Sequence, residues 1–157
     1  MSETRNPKLK KIRRLILFFI IMLLLSGITA FGVESQLNWL IQTFPAGASI
    51  LDRWLQKVQT AIHQTNQIYP FLSYGYDWLA FAHIVIAIAF YGPYKDPQRN
   101  IWIIEWAMIA CIAIIPLALI AGPVREIPFY WQCIDCSFGI LGIIPLWICR
   151  KWIKQLP

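Results

Sequence analysis

The stretch from Phe129 to Cys149, FYWQCIDCSFGILGIIPLWIC, decides how the chain is read. Its charge-free part, Cys136 to Cys149, has 14 residues. At about 1.5 Å per residue this gives roughly 21 Å of helix, short of a hydrocarbon core about 30 Å thick. A helix that crosses a membrane here takes Asp135 in with it. Such a carboxylate costs about 2.5 to 3.5 kcal/mol on insertion scales, so it faces protein or water rather than lipid. The stretch predicts a span and marks where polar chemistry sits within it.

Working outward, three further runs have the same character. Leu15 to Val33 carries no charge. A second run, about 71–91, includes Asp77 and His83 and meets Gly92-Pro93, a pair suited to ending a helix. A third, 101–121, has Glu105 near its start and Pro116 in its second half, where a missing N–H predicts a kink, and meets Gly122-Pro123. With the fourth at 129–149, the reading is an all-α integral membrane protein: one membrane domain over 1–157 built as a four-transmembrane-helix bundle. The similar exits GPYKDP and GPVREIP are explained by two helices stopping through the same chemistry.

Composition agrees. Of 157 residues, 58% are hydrophobic and the mean hydropathy is +0.55, against about 45 to 50% apolar residues in soluble domains. The net charge of +6 does not indicate nucleic acid, because the basic residues stand at the ends of apolar runs. Cys111, Cys133, Cys136 and Cys149 form no secreted disulfide framework. The first run is longer than the h-region of a signal peptide and lacks a clean small-x-small site, so it is read as an uncleaved helix.

Residues 34–70 cannot span. Within them Ser49 and Asp52 have capping-box spacing, and Leu51, Trp54, Leu55, Val58 and Ile62 recur at helical intervals. This predicts an outer amphipathic helix starting near Ile50, between spans one and two, lying on the membrane surface or capping the bundle. The N-terminal tail, the loop after span two and the C-terminal tail hold 11 Lys and Arg, against 3 in the opposite loops. The positive-inside rule then puts both termini in the cytoplasm and 34–70 outside; the inner membrane of a bacterial cell is the default setting for such a chain, not one that these residues specify.

With that topology Asp77 and Asp135 lie at similar depth, and Arg125, in the short loop above, is the nearest counter-charge. His83 follows Asp77 by six positions. Ala80 and Ala87 on span two, Gly139 and Gly142 on span four, and Ala107 and Cys111 on span three are small residues that allow close helix approach. Asp77, His83, Arg125 and Asp135 have two readings. One is an interhelical polar set that holds the bundle together. The other is an outward-facing pocket of a non-enzymatic subunit that binds a ligand, a lipid or a partner protein, with no cofactor. The bilayer is the first partner, and a second membrane protein or further copies of the chain fit so small a bundle. No HxxxH or repeated CxxC spacing marks a metal site. Glu105 is placed to pair with Arg99, Arg150 or Lys151.

CIDC, Cys133 to Cys136, opens a third reading at the outer start of the last span. Four spans, a long first outer loop with an amphipathic helix, and CxxC in this place resemble the vitamin K epoxide reductase and DsbB type of membrane thiol oxidoreductase. The resemblance implies that Cys133 and Cys136 are a redox pair and that quinone is the cofactor. These families usually carry a second cysteine pair in an outer loop, and residues 34–70 contain no cysteine. Asp135 between the thiols also opposes thiolate formation. Two cysteines three positions apart serve equally as packing residues on one helix face.

Overall fold

The computed structural model describes residues 7–43, 47 and 49–157, and among them all regular structure is helical. Helix α1 (Pro7–Ala30) opens on proline, whose missing N–H falls where no helical bond is due. It starts ahead of the apolar run at Leu15 because Lys and Arg are good helix formers. Charge limits the part able to cross a membrane, not the helix. Helix α2 (Val33–Thr43) was not anticipated in the stretch that follows α1. Its signal is nonetheless present: Val33, Leu37, Leu40 and Ile41 share one face, and Glu34 sits in the first turn, where the helix dipole favours an acid.

Helix α3 (Ile50–Ile68) begins where the capping box places it. The Asp52 N–H donates to Ser49 Oγ at 3.1 Å, and the Ser49 N–H donates to Asp52 Oδ2 at 3.3 Å. A 3-10 turn (Pro70–Ser73) leads into α4 (Tyr74–Ala89) and the short α5 (Tyr91–Lys95). Then follow α6 (Ile101–Val124) and α7 (Phe129–Ile153). Four stretches of the described chain are long and apolar enough to cross a membrane: Pro7–Ala30, Pro70–Lys95, Ile101–Val124 and Phe129–Ile153, with 24, 26, 24 and 25 residues. At 1.5 Å per residue they reach about 36 to 39 Å, more than a hydrocarbon core requires. Ile109, Leu117, Ile120 and Leu141 leave 65–69% of their surface uncovered, a degree of apolar exposure suited to lipid.

Both expected proline stops fall inside helices. Pro93 occupies the first turn of α5, where its absent N–H is not needed. Pro123 lies in the last turn of α6, which ends instead at Arg125. There Glu126 takes φ 56°, the Ile127 N–H bonds to the Gly122 carbonyl at 2.9 Å, and the Glu126 N–H to the Pro123 carbonyl at 3.1 Å. These are the two bonds of a Schellman ending, with glutamate where glycine is usual. Pro116 lies within α6, and its missing N–H leaves the Ile112 carbonyl without its usual partner.

The described helices form two compact units, Met1–Ile20 with Ile88–Pro157, and Ile21–Ala87. In the first, Ile12, Ile16, Phe90, Ile104, Leu146 and Ile153 are buried, and Phe19 stacks on Phe90 at 5.8 Å. Helices α6 and α7 make an antiparallel hairpin whose close approach depends on glycine. A side chain at Gly139 would run into the Cys111 carbonyl, and a Cβ at Gly142 would stand 3.0 Å from Cys111 Sγ. Near the turn a Cβ at Gly122 would meet the Gln132 side chain at 2.6 Å. Gln132 is only 5% exposed, and its amide donates to the Ile127 carbonyl at 2.7 Å, which pins the start of α7 to the turn. At the far end Arg150 binds Glu105 at 2.7 Å, with Lys154 at 3.8 Å, so Glu105 bridges the two helices as its position suggested, through Arg150.

In the second unit a Cβ at Gly27 of α1 would lie 2.9 Å from the Ala80 carbonyl and 3.2 Å from the His83 Cβ. The small surface around Ala80 therefore has its partner in α1, as that around Gly139 has its partner in α6.

Candidate binding site around Asp77

Helices α2 and α3 and the 3-10 turn meet through a chain of side-chain hydrogen bonds centred on Glu34. His63 Nδ1 lies 2.7 Å from Glu34 Oε1, and Gln67 Nε2 lies 2.9 Å from His63 Nε2. An amide nitrogen only donates, so His63 Nε2 accepts and Nδ1–H donates to the carboxylate. Asn66 donates to the other Glu34 oxygen, and Ser73 Oγ donates to Asn66 Oδ1. The bond from His63 first, then that from Asn66, hold the Glu34 carboxyl below the usual glutamate range. Gln59 adds a bond to Asn38 at 2.8 Å. His63 thus works as a clasp between α2 and α3, a role its place near the end of α3 did not reveal.

Against this network lies a cavity of about 200 Å³ lined by Phe31, Glu34, Asn66, Ser73, Tyr76 and Asp77, among others. A second cavity of about 310 Å³ is lined by Phe31, Tyr74, Asp77, Trp78 and Phe81. Phe31 and Asp77 line both, and the two differ in chemistry. The first offers carboxylate, amide and hydroxyl groups; the second is aromatic apart from Asp77. Tyr74, Trp78 and Phe81 make successive edge-to-face contacts at 5.9 and 6.0 Å, the spacing of one helix face. Asp77 is half-buried and has no ion pair or side-chain hydrogen bond among the described residues, whereas both oxygens of Glu34 are taken.

Of the other residues singled out in the sequence, His83 shares α4 with Asp77 and lines neither cavity. Its Nδ1–H donates to the Leu79 carbonyl at 2.8 Å, one turn back. Arg125 and Asp135 belong to the other unit. Arg125 caps α6 with its backbone N–H and its side chain is exposed; Asp135 is half-buried on α7; neither has an ion pair among the described residues. Cys133 is exposed and Cys136 half-buried, both as free thiols. No group of three His, Cys, Asp or Glu side chains among the described residues is arranged to hold a metal ion.

No family model, curated protein or solved structure matches this chain. Its chemistry rests on its own residues. Sequence reasoning reached Asp77 because a charge inside an apolar run is conspicuous. It missed Glu34, Asn66 and Ser73, which reach the same cavity only because α2 and α3 fold back beside the start of α4.

Proposed function

We propose that the chain is a non-enzymatic, multi-pass protein of a bacterial inner membrane that binds an amphiphile at Asp77. The observation that carries this reading is the place of Asp77 on the shared wall of a polar and an aromatic cavity. A ligand with a cationic or hydrogen-bond-donating head and an apolar body satisfies both. Its head meets the unpaired carboxylate beside Asn66, Ser73 and Tyr76, and its chain lies along Tyr74, Trp78 and Phe81. The excess of Lys and Arg in the two tails and the loop after α5 supports a topology with both termini in the cytoplasm and this site toward the outside. His83, Arg125 and Asp135 then serve the helices that carry them.

The test is photolabelling of the full chain in membranes with a diazirine-bearing stearylamine, with the matching stearic acid probe for comparison. The amine is expected to label the segment 71–81, and Asp77→Asn to lower labelling about tenfold, the weight of one charge-assisted hydrogen bond of about 1.5 kcal/mol. Equal labelling by amine and acid, or labelling unchanged in Asp77→Asn, overturns the reading.

Thiol-disulfide exchange at Cys133 and Cys136 with a quinone is the second reading, supported by the free, exposed Cys133 one helical turn from Cys136. Cysteine-free residues 34–70 and the intervening Asp135 weigh against it. Differential maleimide labelling before and after reduction separates the two: a disulfide fraction that changes when respiration is blocked favours exchange, and two permanently free thiols remove it.

A further inference from the structure

The first unit carries a second surface, independent of Asp77. Arg13 of α1 donates through Nε to the Tyr94 carbonyl at 3.1 Å and through Nη2 to the Lys95 carbonyl at 3.3 Å. This places a guanidinium on the last carbonyls of α5, where a cation is favoured. Lys8 reaches Gln155 Oε1 at 3.5 Å, and Gln98 donates to the Leu156 and Pro157 carbonyls at 3.3 and 3.1 Å. These bonds gather the start of α1, the α5–α6 connection and the end of α7 into one surface.

Among the described residues, the acidic side chains of this surface, Asp96 and Glu105, are already engaged. Asp96 Oδ1 accepts from the Arg99 N–H at 3.1 Å within its own turn, and Glu105 is held by Arg150 at 2.7 Å and Lys154 at 3.8 Å. Lys10, Lys11, Arg14, Lys95, Arg99 and Lys151 remain, all exposed and without an acidic partner among the described residues. The same end of the α6–α7 hairpin presents Trp102 and Trp147, 61% and 52% exposed, and Lys151 Nζ lies 5.5 Å from the Trp147 ring centre. Exposed indoles beside lipid-facing helices mark the headgroup level. A cluster of cations at that level attracts anionic lipid, each basic residue adding to the attraction.

We infer that this end of the molecule binds anionic phospholipid headgroups and selects them over zwitterionic ones. The indole rim and the uncovered apolar helices next to it favour a lipid surface over nucleic acid, which would leave both uncovered.

The full chain in neutral detergent, titrated with phosphatidylglycerol or phosphatidylcholine of identical chains and read by native mass spectrometry, tests this. Wild type is expected to retain phosphatidylglycerol about tenfold better, with the preference lost in about 0.5 M salt. Arg14→Gln/Arg99→Gln/Lys151→Gln is expected to bring the two lipids within about twofold of each other while keeping its helical circular dichroism. Lys57→Gln, on α3, should keep the wild-type preference. Equal retention of the two lipids by wild type, a triple variant that keeps the preference, or displacement of phosphatidylglycerol by an equal concentration of inorganic phosphate or short single-stranded DNA overturns the inference.

Discussion

Glu126 holds a backbone conformation that L side chains avoid. At φ 56° its Cβ crowds the following carbonyl, at about 1 to 2 kcal/mol, and the two Schellman bonds offset this. Glycine keeps those bonds without the crowding, less its greater entropy when unfolded. Glu126→Gly is therefore expected to stabilise the chain by about 1 kcal/mol, a rise of about 2 to 4 °C in the melting temperature of the detergent-solubilised protein. Glu126→Val should lower it, and an unchanged or lower value for the glycine variant would refute the strain assignment. The sequence does not announce this position, because the left-handed residue is neither glycine nor asparagine. Glu105 was legible, since an acid near a span end with basic residues at the matching end of the next span has few other partners. Gln132 was not: its neighbours Gly122 and Ile127 meet it only once the turn has closed.

Helices α2 and α3 are linked through one carboxylate with little fully buried apolar surface, since α2 has no buried residue and α3 has only Ile62. Glu34 has its pKa depressed in the folded chain, so its contribution is present above the ordinary glutamate range and is lost as pH falls through the lowered folded value. The melting temperatures of wild type and Glu34→Gln should differ at pH 7 and converge below about pH 4. A gap that persists once the Glu34 carboxyl is protonated, below the lowered folded value, would show that His63 and Asn66 do not act through the charge. The start of α3 could be read because a capping box is a local device, complete within four residues. Helix α2 escaped notice because its apolar face is short, and the proline exits misled because a proline in a first or last turn breaks little.

Across the chain, the apolar runs were readable from their length and composition alone, because being long and apolar enough for a hydrocarbon core is a property each helix holds by itself. The site was only half readable. Asp77 stands out within its run, but the groups that share its cavity arrive from α2 and α3, and no local pattern records that return. The α6–α7 hairpin has a consequence for biosynthesis. Its turn is locked by the Schellman bonds and Gln132, its middle by Gly139 against Cys111, and its open end by Glu105 with Arg150. Asp135, inside its apolar run, makes α7 a poorer substrate for the translocon on its own, whereas α6 is free of charge beyond Glu105. The pair should leave the ribosome and enter the bilayer as one cargo, with α6 carrying α7. In a glycosylation-mapping reporter α7 alone is expected to insert in a minority of chains, and in most chains when α6 and the native turn precede it. Full insertion of α7 alone would show that it needs no escort.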